Sequence, residues 1–76
     1  MHVRVVRVSD GKYFNQSGVE VPSTWSTQIA KNLSKNWTTL RPELYRVEYK
    51  RTNQTWTSKK TVDANLVNGD LSVDIS

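Results

Sequence analysis

Seventy-six residues suffice for one domain, spanning 1–76, and a domain this small hides only about 60% of the surface its unfolded chain exposes. With no cysteine there is neither a disulfide nor a thiolate metal site, which points to a reducing, cytoplasmic setting, and His2 as sole histidine excludes an imidazole metal pair. The formal charge of +4 is uneven: residues 1–60 hold eleven bases and four acids, a net of +7, whereas residues 61–76 hold three acids and no base, a net of −3.

The basic part is suited to an acidic partner such as nucleic acid; the two parts are equally able to neutralise each other across the fold. Three tryptophans, three tyrosines and one phenylalanine carry much of the core area, since each buried ring removes roughly 150–250 Å² from water. Arg4 and Arg7 break the apolar run at residues 1–7, so it reads as neither a signal peptide nor a membrane span. Without a secretory signal, the glycosylation sequons at Asn15, Asn32, Asn36 and Asn53 read as by-products of a sequence rich in Asn, Ser and Thr.

Residues 2–8 read as a valine-rich strand, followed by Asp10-Gly11, a strong hairpin signal because both turn positions tolerate positive φ. With that pair as the loop, Ser9 meets Lys12 and Val8 meets Tyr13. Val6 and Val8 share one face and Val3 and Val5 the other, so either both faces are covered or a bulge restores one apolar face. Asn15-Gln16-Ser17-Gly18 is a second turn, and Val19–Val21 a short strand stopped by Pro22. The spacing then predicts the one helix. Ser23 or Ser26 caps it, and Trp25, Ile29, Leu33 and Trp37 recur every four residues with Ala30 beside them. Successive members drift by only about 40°, which makes one buried stripe. Lys31, Asn32, Lys35 and Asn36 fall elsewhere on the circumference.

From Leu44 to Arg51 the residues Tyr45, Val47 and Tyr49 alternate with Arg46, Glu48 and Lys50, the pattern of a half-buried strand. A turn at Asn53-Gln54 leads to a partner strand containing Trp56 and sets Glu48 opposite Lys59, facing solvent. Asn68-Gly69 specifies a last hairpin in which Leu66 faces Leu71, Ala64 faces Val73 and Val62 faces Ile75. The expected fold is α+β: a mostly antiparallel sheet, in the order β-β-β-α-β-β-β, with one helix packed on one face.

The run Val6-Arg7-Val8-Ser9-Asp10-Gly11-Lys12-Tyr13, the Gly18 turn, the expected helix and the strand Tyr45-Arg46-Val47-Glu48-Tyr49-Lys50 resemble a layout seen in small bacteriophage accessory proteins. The likeness covers roughly residues 3–51 and departs at the C-terminal hairpin. It implies a phage or mobile-element accessory role, in the host cytoplasm, and transfers no site residue.

Catalysis is not expected. There is no interior histidine to act as base, no G-x-S-x-G elbow, and no glycine-rich phosphate loop. A carboxylate pair such as Glu43 and Glu48 could in principle do acid–base work. No metal or cofactor is expected. The residues left for function are Arg46, Lys50, Arg51, Lys59 and Lys60 with Trp56, all on one expected hairpin. Cations that track phosphates beside an aromatic that stacks on a base are the ingredients of single-strand binding. The same residues also suit a plain role, with Trp56 closing the core edge and lysines keeping an edge strand from aggregating. The leading expectation is a binding protein acting on nucleic acid or a nucleic-acid-handling complex. The rival is an inhibitor that docks on a host protein through a sheet edge or an exposed tryptophan.

Overall fold

A computed structural model describes residues 1–30, 33–38, 40–63 and 71–74. Its strands are β1 (His2–Arg7), β2 (Tyr13–Phe14), β3 (Glu20–Val21), β4 (Thr27–Gln28), β5 (Ser34–Trp37), β6 (Leu44–Lys50), β7 (Thr57–Asp63) and β8 (Leu71–Asp74). The first sheet runs β3-β2-β1-β6-β7 with β4 also paired to β1, and β5 and β8 form a second, two-stranded sheet. All pairings are antiparallel.

The expected α+β class is therefore corrected to all-β, with no helix among the described residues. Where a helix was expected the chain makes β4 and β5, and Pro22 to Trp25 is a turn closed by the Trp25 N–H on the Pro22 carbonyl at 2.9 Å. The reason is arithmetic and chemical. A repeat of four is also a multiple of two, so the spacing of Trp25, Ile29, Leu33 and Trp37 fits a strand period as well as a helical one. Thr24, Ser26, Thr27, Ser34 and Asn36 meanwhile disfavour a helix interior. The stripe splits accordingly. Ile29 and Trp37 are buried and Trp25 packs against the core, but Leu33 is 61% exposed.

β1 is the centre of the larger sheet. It pairs with β6 without interruption from His2↔Lys50 to Arg7↔Tyr45. Both faces of β1 are covered, and no bulge separates Val5 from Val6. Val3 and Val5 join Tyr45, Val47, Ile29 and Leu40 in the core, and Trp37, Leu71 and Val73 of the smaller sheet pack on the same side. The Trp37 indole donates to the Phe14 carbonyl at 2.9 Å, and the Thr38 N–H to the Gln16 carbonyl at 3.2 Å, so the two sheets are bonded as well as packed.

The first hairpin is two residues out of the expected register, with Val6 rather than Val8 opposite Tyr13. A shift of two keeps every side chain on its face. The loop carries Gly11 at φ 71°, with its N–H on the Arg7 carbonyl, and Arg7 is ion-paired to Asp10 across it. The β6–β7 register agrees with expectation from Leu44↔Asp63 to Val47↔Lys60 and then slips by one, giving Glu48↔Ser58 and Tyr49↔Thr57 with Lys59 as the extra residue of a bulge. At the tip Asn53 adopts φ 65°, a conformation asparagine tolerates. The Asn68-Gly69 hairpin and its pairs lie outside the described residues, and β8 pairs with β5, Trp37 opposite Leu71.

Candidate nucleic-acid interface

The face of the larger sheet turned away from the core is organised around a charge. Arg4 sits between valines in the centre of β1, where its side chain lies beside Glu48 of β6. Its Nε donates to Glu48 Oε1 at 2.7 Å and its Nη1 donates to the Ser23 carbonyl at 2.6 Å. Both side chains are almost wholly buried. The guanidinium also lies 4.5 Å from the Tyr13 ring centroid and 4.1 Å from that of Trp56. Planar, weakly hydrated guanidinium is suited to such stacking on rings. Glu48 is thus not the solvent-facing residue expected opposite Lys59: the bulge places Ser58 across from it, and Arg4 and Arg46 hold its two oxygens.

The expected basic hairpin divides into three parts. Arg46 is turned to Glu48 Oε2 at 3.2 Å. The backbones of Lys59 and Lys60 occupy the bulge and the position opposite Val47. Lys50 and Trp56 stay together near the tip, with Lys50 Nζ 5.1 Å from the Trp56 ring centroid, and Arg51 is exposed just beyond the end of β6.

Beside Trp56 opens a cleft of about 410 Å³. Its lining joins Lys50, Trp56 and His2 to Ser23, Thr24 and Ser26, with Thr52 and Asn53 contributed by the hairpin tip. His2 Nε2 lies 3.3 Å from Thr52 Oγ1, which couples the start of β1 to the tip of the β6–β7 hairpin. Arg4 touches both groups, bonding the Ser23 carbonyl and supporting the Trp56 ring. The sequence pattern assigns none of Arg4, Ser23, Thr24, Ser26 and His2 to a site, giving Arg4 only as a break in an apolar run and Ser23 or Ser26 only as a helix cap. The available signal was a pair of opposite charges, Arg4 and Glu48, each embedded in an apolar strand.

A second cleft, of about 270 Å³, lies between Arg7, Phe14, Arg41 and Tyr45. Its arginines are already engaged, Arg7 by Asp10 and Glu43, and Arg41 by Glu43 at 3.9 Å. Hydrogen bonding to Arg7 pulls the Asp10 carboxyl down to about 2, against a weaker upward push from burial. Burial raises the Tyr45 phenol, and its hydroxyl donates to the Arg41 carbonyl at 2.9 Å. Glu43 and Glu48 are therefore each held by two arginines.

Trp37 is buried, and Trp25 and Trp56 are half-buried. No helix among the described residues is long and apolar enough to cross a membrane. Comparison with protein-family models, curated proteins and solved structures finds no match to this chain.

Proposed function

We propose that this chain is a non-enzymatic binding protein, of the phage-accessory kind, that engages nucleic acid or a nucleic-acid-handling complex in the host cytoplasm. The residues assigned to contact are Lys50, Arg51 and Trp56. One observation carries the reading. Arg4, Arg7, Lys12, Arg41 and Arg46 each have a carboxylate partner among the described residues, whereas Lys35, Lys50 and Arg51 have none, and of these Lys50 lies over the half-buried Trp56 with the exposed Arg51 next to it in the chain. Positive charge left uncompensated beside an aromatic ring favours a phosphate backbone with bases to stack.

The test is the salt dependence of binding to short oligonucleotides. Lys50→Ala with Arg51→Ala should weaken binding to all sequences alike and lower the slope of log affinity against log salt by about 0.7 per lost contact on single strands. Wild-type protein that binds neither DNA nor RNA at low salt overturns the proposal. A second reading, an inhibitor docking on a host protein, is favoured by the position of β7 at the end of the strand order β3-β2-β1-β6-β7, where a partner strand can add. Such a complex forms without nucleic acid and responds little to salt.

A further inference from the structure

The cleft beside Trp56 has a shape and chemistry more specific than a basic patch requires. Resting on the nucleic-acid reading above, we infer that it takes one unpaired base of a single strand, stacked on Trp56, with the adjoining phosphate held by Lys50. Its volume of about 410 Å³ lies in the range of small-ligand pockets, roughly 300–1,000 Å³. Its lining joins an aromatic ring, Trp56, to the hydroxyl-bearing residues Ser23, Thr24 and Ser26. Hydroxyls both donate and accept, so they satisfy the edge of any base without selecting one. Paired bases in a duplex cannot enter unless one is flipped out, at a cost of a few kcal/mol.

The lining is set before the ligand arrives. Arg4 is locked by Glu48 at 2.7 Å, and from there it bonds the Ser23 carbonyl and supports the Trp56 ring at 4.1 Å. A single buried side chain thus fixes the spacing of Ser23 and Trp56, which removes the cost of ordering them on binding. Lys50 is the movable part. Its ammonium lies over the Trp56 ring on a flexible stem and can leave the ring for a phosphate as the base comes in.

Three probes test this: a short thymidine-only strand, a strand of equal length with every base removed, and a duplex, each followed by fluorescence anisotropy at one salt concentration. The thymidine strand should bind about 5- to 150-fold more tightly than the abasic strand, the span expected for one stacked base, and more tightly than the duplex. Trp56→Leu keeps an apolar cover over Arg4 and should erase the thymidine advantage, read as the ratio of thymidine to abasic affinity in the same variant. Thr24 is exposed, so Thr24→Met narrows the cleft at a site that folding tolerates and should reduce the same advantage. Equal affinity of wild type for thymidine and abasic strands overturns the cleft and leaves phosphate binding standing. A thymidine advantage that survives both variants, or duplex binding as tight as single-strand binding, also overturns it. Absence of binding to all three probes removes this inference together with the function it rests on.

Discussion

Glu48→Gln is the substitution that most directly tests the account of the interior. It keeps the size of the side chain and an acceptor for Arg4, and removes only the charge. The side chains of Arg4 and Glu48 are 11% and 12% exposed, so the guanidinium would remain buried without its counter-charge. Breaking a buried pair in this way costs about 3–5 kcal/mol. The lower end applies here, because the Ser23 carbonyl and the Tyr13 and Trp56 rings still hold the cation. Arg46 loses its partner too but is 40% exposed, so its share is under about 1 kcal/mol. A chain of this length has a total stability of roughly 4–11 kcal/mol. A loss of about 3 kcal/mol is a large part of that and lowers Tm by roughly 12–24 °C.

Urea and thermal unfolding, followed by circular dichroism and tryptophan fluorescence, measure the loss. The double variant Arg4→Met with Glu48→Met supplies the control, since apolar replacement of a whole buried pair is often neutral or stabilising. It should recover most of what Glu48→Gln loses. If Glu48→Gln instead unfolds within about 0.5 kcal/mol of wild type, Arg4 is not a buried charge held by Glu48, and the rigid cleft built on it fails as well.

Leu33 and Trp37 separate the strand arrangement from a helical one. Leu33→Ala should cost under about 0.5 kcal/mol because Leu33 is exposed, while Trp37→Ala should cost about 3–5 kcal/mol and leave the Phe14 carbonyl without its donor; equal losses in denaturant melts would restore the single buried stripe. Asp10 sets the acid limit. Its carboxyl is lowered from 3.8 to about 2 by Arg7, so its stabilising effect is complete above pH 3.8 and disappears as pH falls towards 2. Asp10→Asn should flatten the fall in stability across that window, and acid-unfolding curves that run parallel for the two proteins would contradict it.

Strands whose identity rests on alternation were legible. Residues 44–50 alternate and form β6, and the valine-rich run expected at residues 2–8 forms β1 from His2 to Arg7, with Val8 beyond its end. Among the described residues the turns at Asp10-Gly11, Asn15–Gly18 and Asn53-Gln54 fall where expected, but the length of the first does not, since Asp10-Gly11 signals a reversal without stating how many residues loop around it. The segment at residues 25–37 was misread because periodicity alone cannot separate a period of four from one of two when only every fourth residue is apolar. Composition should have decided. Six Ser, Thr and Asn residues (Ser26, Thr27, Asn32, Ser34, Asn36 and Thr38) lie between Trp25 and the end of β5 or directly beyond it, and each can bond its own backbone in extended conformations at the expense of a helix.

The binding face divides along the same line between local and distant information. Lys50, Arg51 and Trp56 are neighbours in one hairpin, so a sequence that specifies the hairpin also specifies their clustering. What turns the cluster into a cleft comes from elsewhere: His2 is 50 residues from Thr52, Arg4 is 44 from Glu48 and 19 from the Ser23 carbonyl. No local pattern reports such distances. Yet the charges themselves carried a message, because an arginine between Val3 and Val5 and a glutamate between Val47 and Tyr49 each sit where burial without a partner costs several kcal/mol. Two such residues of opposite sign, in two strands that both read as central, are mutually satisfied only when those strands lie side by side. That pairing puts β1 against β6, and β6 carries Trp56 round its hairpin to cover the buried arginine. The electrostatic requirement of Arg4 thereby fixes the strand order at the centre of the sheet and the position of the ring at its binding edge.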